Sequence, residues 1–172
     1  LEAGRMATIV SAPAGFGKST CVSGWIDSLA DMPSAWLSLD PSDDDPGRFF
    51  PYFIAALQNI DKTLGRDISG LLCAGELPSA DNIAAVLTDD ILSLNAPFIM
   101  VLDDLHHIRD PLIHRTLERL LLAPPPQIRM IFLTREDPPL PLARLRANGR
   151  LTEIRAADLR FTNRDAELFL NR

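Results

Sequence analysis

The sequence predicts an α/β fold in which a parallel sheet is covered on both faces by helices. Three observations point to it. Short apolar runs of strand length alternate with longer segments whose apolar residues recur at helical spacing. The runs at residues 6–11 and 34–39 are short and apolar, as suits strands buried on both faces. The runs at 98–102 and 128–134 end abruptly in polar residues, at the strand ends where functional groups gather in open parallel sheets.

Residues 6–11 (MATIVS) read as the first strand and residues 34–39 (SAWLSL) as the second, joined by a helix over 18–30. An acidic turn at 41–45 leads to Asp45-Pro46, which can cap a helix whose Phe49, Phe50, Phe53, Ile54, Leu57 and Ile60 share one face. Those aromatics read as core rather than as a ligand box. Ile83, Val86, Leu87, Ile91 and Leu94 repeat at helical spacing after a Pro-Ser-Ala-Asp start, and Pro97 ends the pattern. The third strand covers 98–102. Pro111 opens a helix that runs to Leu122, where the prolines at 124–126 stop it. Residues 128–134 form the fourth strand, 151–155 the fifth, and 162–172 a final helix. Strands alternating with helices in this way imply right-handed crossovers. There is no internal repeat or low-complexity tract.

A chain of 172 residues with 47% hydrophobic content is one α/β domain with a sizeable core. Its net charge of -6 and pI near 5.0 argue against direct nucleic-acid contact, because such domains carry a basic face. Cys21 and Cys73 lie far apart, with neither disulfide-framework nor metal-ligand spacing, and read as small buried hydrophobes in a reducing cytoplasm. No apolar run approaches the ~20 residues of a membrane helix, and no signal-type core opens the chain. A start at Leu1 without methionine, close to a core strand, marks the sequence as a piece of something longer.

The strongest chemical signal is APAGFGKST at residues 12–20, between the first strand and the first helix. Small residues let backbone N–H groups wrap a polyphosphate, a lysine reaches the outer phosphates, and a hydroxyl holds Mg²⁺. Gly15, Gly17, Lys18 and Ser19 supply these, and the helix starting near Lys18 adds unpaired N–H groups and its positive dipole end. Ala12 stands where such loops usually have their first glycine. The expected ligand is a nucleoside triphosphate, held by Ala14, Gly15, Phe16, Gly17, Lys18, Ser19 and Thr20.

The second signal is FIMVLDD at 98–104. Asp103 at the strand end pairs chemically with Ser19 as a hard-oxygen ligand for Mg²⁺, and Asp104 is placed to orient or deprotonate an attacking water. The third is IFLTRED at 131–137, ending in Thr134 and Arg135. If this strand lies between the first and the third, Arg135 reaches the γ-phosphate and serves as its sensor; its alternative is an exposed arginine paired with Glu136 or Asp137. His106, His107 and His114 are expected to make helix-start or interdomain hydrogen bonds, since a magnesium-dependent nucleotide site needs no imidazole. Arg144, Arg146 and Arg150 are assigned to a solvated helix face.

With these motifs in hand, the chain resembles the nucleotide-binding domain of STAND-class signalling ATPases, specifically the large MalT-like regulators of the LuxR type. VSAPAGFGKST, WLSLD with its acidic turn and DP, VLDDLHHI, LTREDPPLPLARLRANG and ADLRFTNRDAELFL carry the resemblance, in that order and over nearly the whole chain. It implies a P-loop NTPase with a five-stranded parallel sheet in the order 5-1-4-3-2. It also implies phosphate and Mg²⁺ roles for Lys18, Ser19 and Thr20, second-motif roles for Asp103 and Asp104, and a sensor role for Arg135. The family's longer proteins add winged-helix, helical-repeat and helix-turn-helix parts that are absent here, so DNA binding and inducer recognition are expected outside this piece. The expected function is an ATP/ADP-dependent switch with slow hydrolysis, whose partners are the other domains of the same polypeptide and, with ATP, further copies of the protein. Two other readings stand beside it: a turnover ATPase or kinase, against which the second carboxylate Asp104 argues, and a structural module without nucleotide, against which Lys18 and Asp103 argue.

Overall fold

A computed structural model describes residues 5–29 and 32–160. Five strands, β1 (Ala7–Ser11), β2 (Ser34–Ser38), β3 (Phe98–Asp103), β4 (Ile128–Thr134) and β5 (Leu151–Arg155), form one parallel sheet in the order β2-β3-β4-β1-β5. This is the predicted order read from the other edge. In register, Ala7 lies between Met130 and Leu151, and Leu102 between Leu37 and Phe132.

Six helices connect and cover the strands: α1 (Lys18–Asp27), α2 (Pro46–Leu57), α3 (Arg66–Cys73), α4 (Ala80–Leu92), α5 (Pro111–Leu122) and α6 (Leu142–Ala147). Their distribution is unequal. Phe98, Met100 and Leu102 of β3 pack into a large core with residues of α2 to α6, whereas Ile99 and Val101 join a small cluster with Val22, Trp25 and Ile26 of α1. Strand order explains the asymmetry. Every crossover after the first steps along the sheet in one direction, and only β1-α1-β2 steps back, so right-handed connections send α1 alone to the second face. Beside α1 that face retains a groove of about 600 Å³ lined by Thr8, Val10, Cys21, Trp25, Ile131 and Ile154, among others.

The large core is built on the expected helix face. Phe49, Phe50 and Phe53 are fully buried, with Phe49 and Phe53 stacked at 5.5 Å. Asp45 stands at the N-cap of α2, but its carboxylate accepts no cap hydrogen bond, and the helix ends at Leu57 with Ile60 half-buried beyond it. Ser79 caps α4 by accepting from Asn82 N–H, and Asp110 caps α5 by accepting from Leu112 and Ile113 N–H. The first helix is shorter than expected, ending at Asp27, and the helix expected over 162–172 lies outside the described residues. Helix α3 was not legible beforehand. It starts from Gly65 at φ 66°, where a Cβ would lie 2.8 Å from Ile54, so this turn requires glycine. Both cysteines are exposed rather than buried: Cys21 borders the open groove beside α1, and Cys73 is the last residue of α3. Among the described residues no helix is long and apolar enough to cross a membrane.

Candidate functional site

The loop between β1 and α1 has the backbone that the phosphate-binding reading requires. Gly15 and Gly17 take φ of 81° and 70°, and open space surrounds both Cβ positions, so conformation rather than crowding demands glycine there. Ala12 does not have a positive φ; it is buried, and its N–H donates to the Thr134 carbonyl, which is why alanine suffices where glycine is usual. The first intrahelical hydrogen bond of α1 runs from Cys21 N–H to Gly17 O at 2.8 Å. The N–H groups of Lys18, Ser19 and Thr20 precede it, and no side chain caps the helix. Ala14 and Phe16 complete the loop at its exposed rim.

Lys18 is 7% exposed, and its ammonium donates to Ala12 O at 2.8 Å and Pro13 O at 3.3 Å. Both acceptors belong to the loop, so the charge is held over it. The Ser19 hydroxyl donates to Asp103 Oδ2 at 2.7 Å, which joins the first and second sequence signals directly. Asp103 is itself buried: its Oδ1 accepts from Asp104 N–H at 2.9 Å, and its carbonyl accepts from Leu39 N–H at 3.0 Å. The two groups are hard-oxygen donors that already converge, so the donor set fits a small divalent cation of the magnesium type.

Asp104 is the one non-glycine residue with positive φ, 58°, among those described. This left-handed step turns the chain from β3 into a 3₁₀ turn at Leu105–His107, leaving the Asp104 carboxylate 40% exposed and His106 Nδ1 3.7 Å from it. Aspartate tolerates that conformation better than most residues, and backbone strain of this kind clusters at functional sites. The turn is tied down from the far side. Asp44, in the acidic segment after β2, accepts from Arg109 N–H at 2.6 Å and Asp110 N–H at 2.7 Å.

Strand β4 does lie between β1 and β3, the condition set for Arg135. Arg135 is exposed and, among the described residues, forms no ion pair. The alternative pairing with its neighbours is not made, since Asp137 is bonded to Arg155. Thr134 differs from a sensor hydroxyl, because its Oγ1 donates to Glu136 O at 2.6 Å and so closes its own turn. Arg146 pairs in bidentate fashion with Glu153, and this bond, followed by that from Arg155, lowers the Glu153 pKa to about 2. His114 Nε2 bonds to Ile108 O, but among the described residues His106 has no hydrogen-bond partner at either ring nitrogen, contrary to the sequence expectation.

Comparisons with known proteins bear on the family and the fold. No protein-family model matches. The chain is 34% identical over 164 residues, 95% of its length, to the HTH-type transcriptional regulator MalT of Serratia proteamaculans, and 34% over 169 residues to that of Cronobacter sakazakii. The chain is similar to one part of the MalT regulators, and its fold is of the P-loop type. It spans about a fifth of the length of these relatives, 18% in each. The fold also matches chains in two Drosophila ORC–Cdc6 assemblies on DNA, with TM-scores of 0.51 and 0.52 at 13% and 14% identity, covering 89% and 95% of this chain and 50% and 52% of those chains. That likeness extends to the fold alone.

Proposed function

We propose that this domain is the ATP-binding, slowly hydrolysing switch of a transcription regulator that works in the cytoplasm. The single observation that carries the reading is the Ser19–Asp103 hydrogen bond, which brings the phosphate loop and the second acidic motif to one point beside the buried Lys18. Mg²⁺ would be held there by Ser19 and Asp103, and when bound it neutralises charge on the outer phosphates. Lys18 would exchange its loop carbonyls for phosphate oxygens, and the N–H groups opening α1, with Thr20 at its edge, would receive the inner phosphates. Asp104, with its exposed carboxylate, is placed to orient or deprotonate water. Arg135, free of any ion pair among the described residues, is the group whose best partner exists only in the triphosphate state. A switch needs that difference, because a ligand shifts a conformational equilibrium only by its differential affinity for the two states.

DNA binding would be supplied by parts of the polypeptide outside this chain, in keeping with the net charge of -6. ATP would favour self-association of the whole protein. The test is calorimetric titration of the intact protein with ATP and with ADP, each with and without Mg²⁺. Saturable binding with a Mg²⁺-dependent preference between the two is expected; absence of binding to folded protein overturns the reading.

A further inference from the structure

His106 is buried to 12% side-chain exposure, and neither of its ring nitrogens has a hydrogen-bond partner. A neutral imidazole carries one N–H donor and one acceptor nitrogen, and buried polar atoms of this kind are nearly always satisfied in folded proteins. The ring stands 3.7 Å from the Asp104 carboxylate, too far for a hydrogen bond. It packs against His107 at 4.2 Å between ring centroids, and with Thr134 and Glu136 it lines a small cavity of about 160 Å³ beneath the end of β4. It is carried on the turn that Asp44 and the left-handed Asp104 hold in place, so its position is built rather than incidental.

The charged groups around the ring say what its missing partner is. Asp104 lies 3.7 Å away on the same turn, and Arg135 stands in the chain between Thr134 and Glu136, two residues of the cavity wall that the ring shares. Arg135 and Asp104 are the residues that the proposed function assigns to the outer phosphates and to the attacking water. Burial, reinforced by His107, Arg135 and Lys18, lowers the His106 pKa, so the ring is neutral at pH 7 and offers a donor without adding charge.

We propose that His106 is a ligand of the terminal phosphate, donating a ring N–H to a γ-phosphate oxygen and thereby distinguishing the triphosphate from the diphosphate. The inference rests on the proposed nucleotide reading and deepens it. A diphosphate has no oxygen at that place and leaves the nitrogens unpaired, whereas a triphosphate satisfies one of them. His106 therefore adds to the difference between the two states without contributing to the affinity they share.

The test uses the intact protein and three variants, His106→Leu, His106→Ala and His106→Asn, titrated calorimetrically with Mg²⁺ and either ADP or a non-hydrolysable ATP analogue. Affinity for the analogue is expected to fall about tenfold or more in the Leu and Ala variants. ADP affinity should stay within about twofold, and Asn, which keeps an N–H donor, should recover part of the loss. Thermal unfolding of the nucleotide-free protein supplies the control. Replacing unsatisfied nitrogens by apolar atoms of similar volume leaves the His106→Leu melting temperature equal to or above that of the wild type. Equal losses for both nucleotides, no loss for the analogue, or a lower melting temperature for His106→Leu would each overturn the proposal, the last by making His106 a structural residue. Failure of the wild type to bind either nucleotide would instead overturn the nucleotide reading on which it rests.

Discussion

Asp44→Ala tests whether the acidic turn after β2 holds the second acidic motif in place. One carboxylate oxygen of Asp44 accepts two backbone N–H groups, from Arg109 at 2.6 Å and Asp110 at 2.7 Å. Asp110 in turn caps α5, and the segment before it carries the Asp104 turn and His106. Removing the carboxylate leaves both N–H groups unpaired. Arg109 is exposed, so water replaces its lost bond; Asp110 is half-buried, so its N–H keeps most of the deficit. A hydrogen bond to a charged group contributes about 1.5–3 kcal/mol, and one such loss is the net expectation. For a chain of this size each kcal/mol moves the melting temperature by about 2–4 °C, which gives a fall of about 3–12 °C. Asp44→Asn keeps an acceptor oxygen without the charge and should lose about half as much. Thermal melts and urea denaturation of the three forms, with m-values compared, make the measurement. An alanine variant that melts within about 1 °C of the wild type refutes the reasoning. Equal losses for Asn and Ala also refute it, because the acceptor would then be irrelevant.

Lys18→Ala should weaken ATP binding by about 10- to 150-fold, the equivalent of one charge-assisted hydrogen bond, while the nucleotide-free melting temperature changes far less; unchanged affinity in a folded variant, read by calorimetry, contradicts the phosphate role. Asp104→Ala should slow single-turnover hydrolysis in the intact protein by about 100-fold or more, and an unchanged rate removes the water-activating assignment. Phe53→Ala, at a fully buried position stacked through Phe49, should cost about 3–5 kcal/mol in urea denaturation, and a loss below 1 kcal/mol would mean that the helix face had collapsed onto the cavity. Glu153 titrates near 4.5 when unfolded and about 2 when folded, so it binds fewer protons in the native state. Its contribution is present above pH 4.5 and is lost as the pH falls towards 2; the stability gap between wild type and Glu153→Gln, followed by urea midpoints across that range, should close accordingly.

The elements that were legible in the sequence are those with punctuation at both ends. Pro111 and the prolines at 124–126 bound α5 to the residue, and β4 and β5 match their expected spans because continuous apolar character and a polar stop are local signals. Helix α3 was missed because RDISGLLC offers too few apolar positions around Gly70 and depends on Gly65 fitting beneath Ile54, a tertiary contact. Cys21 was misplaced for a similar reason: the crossovers leave α1 alone on its face of the sheet, and Cys21 borders the groove left open beside it. In the candidate site, Lys18, Ser19, Asp103 and Arg135 were singled out by residue type and strand-end position, and the structure joins Ser19 to Asp103. The Thr134 hydroxyl and the His106 ring were not, since their partners, or lack of partners, are set by turns whose geometry no spacing reveals.

The way the strands are ordered explains why so many charged groups meet at one place. Neighbouring strands lie about 4.8 Å apart, so the ends of β1 and β3, with β4 between them, are separated by about 10 Å. No side chain from one of these strands needs to cross that gap, because the loop after β1 arches over the end of β4 and delivers Ser19 to within 2.7 Å of Asp103. Ala12 N–H bonded to the Thr134 carbonyl marks where the arch springs from β4. Arg135 follows directly after that carbonyl, beneath the span. The proposed phosphate site therefore stands where the ends of β1, β4 and β3 come together.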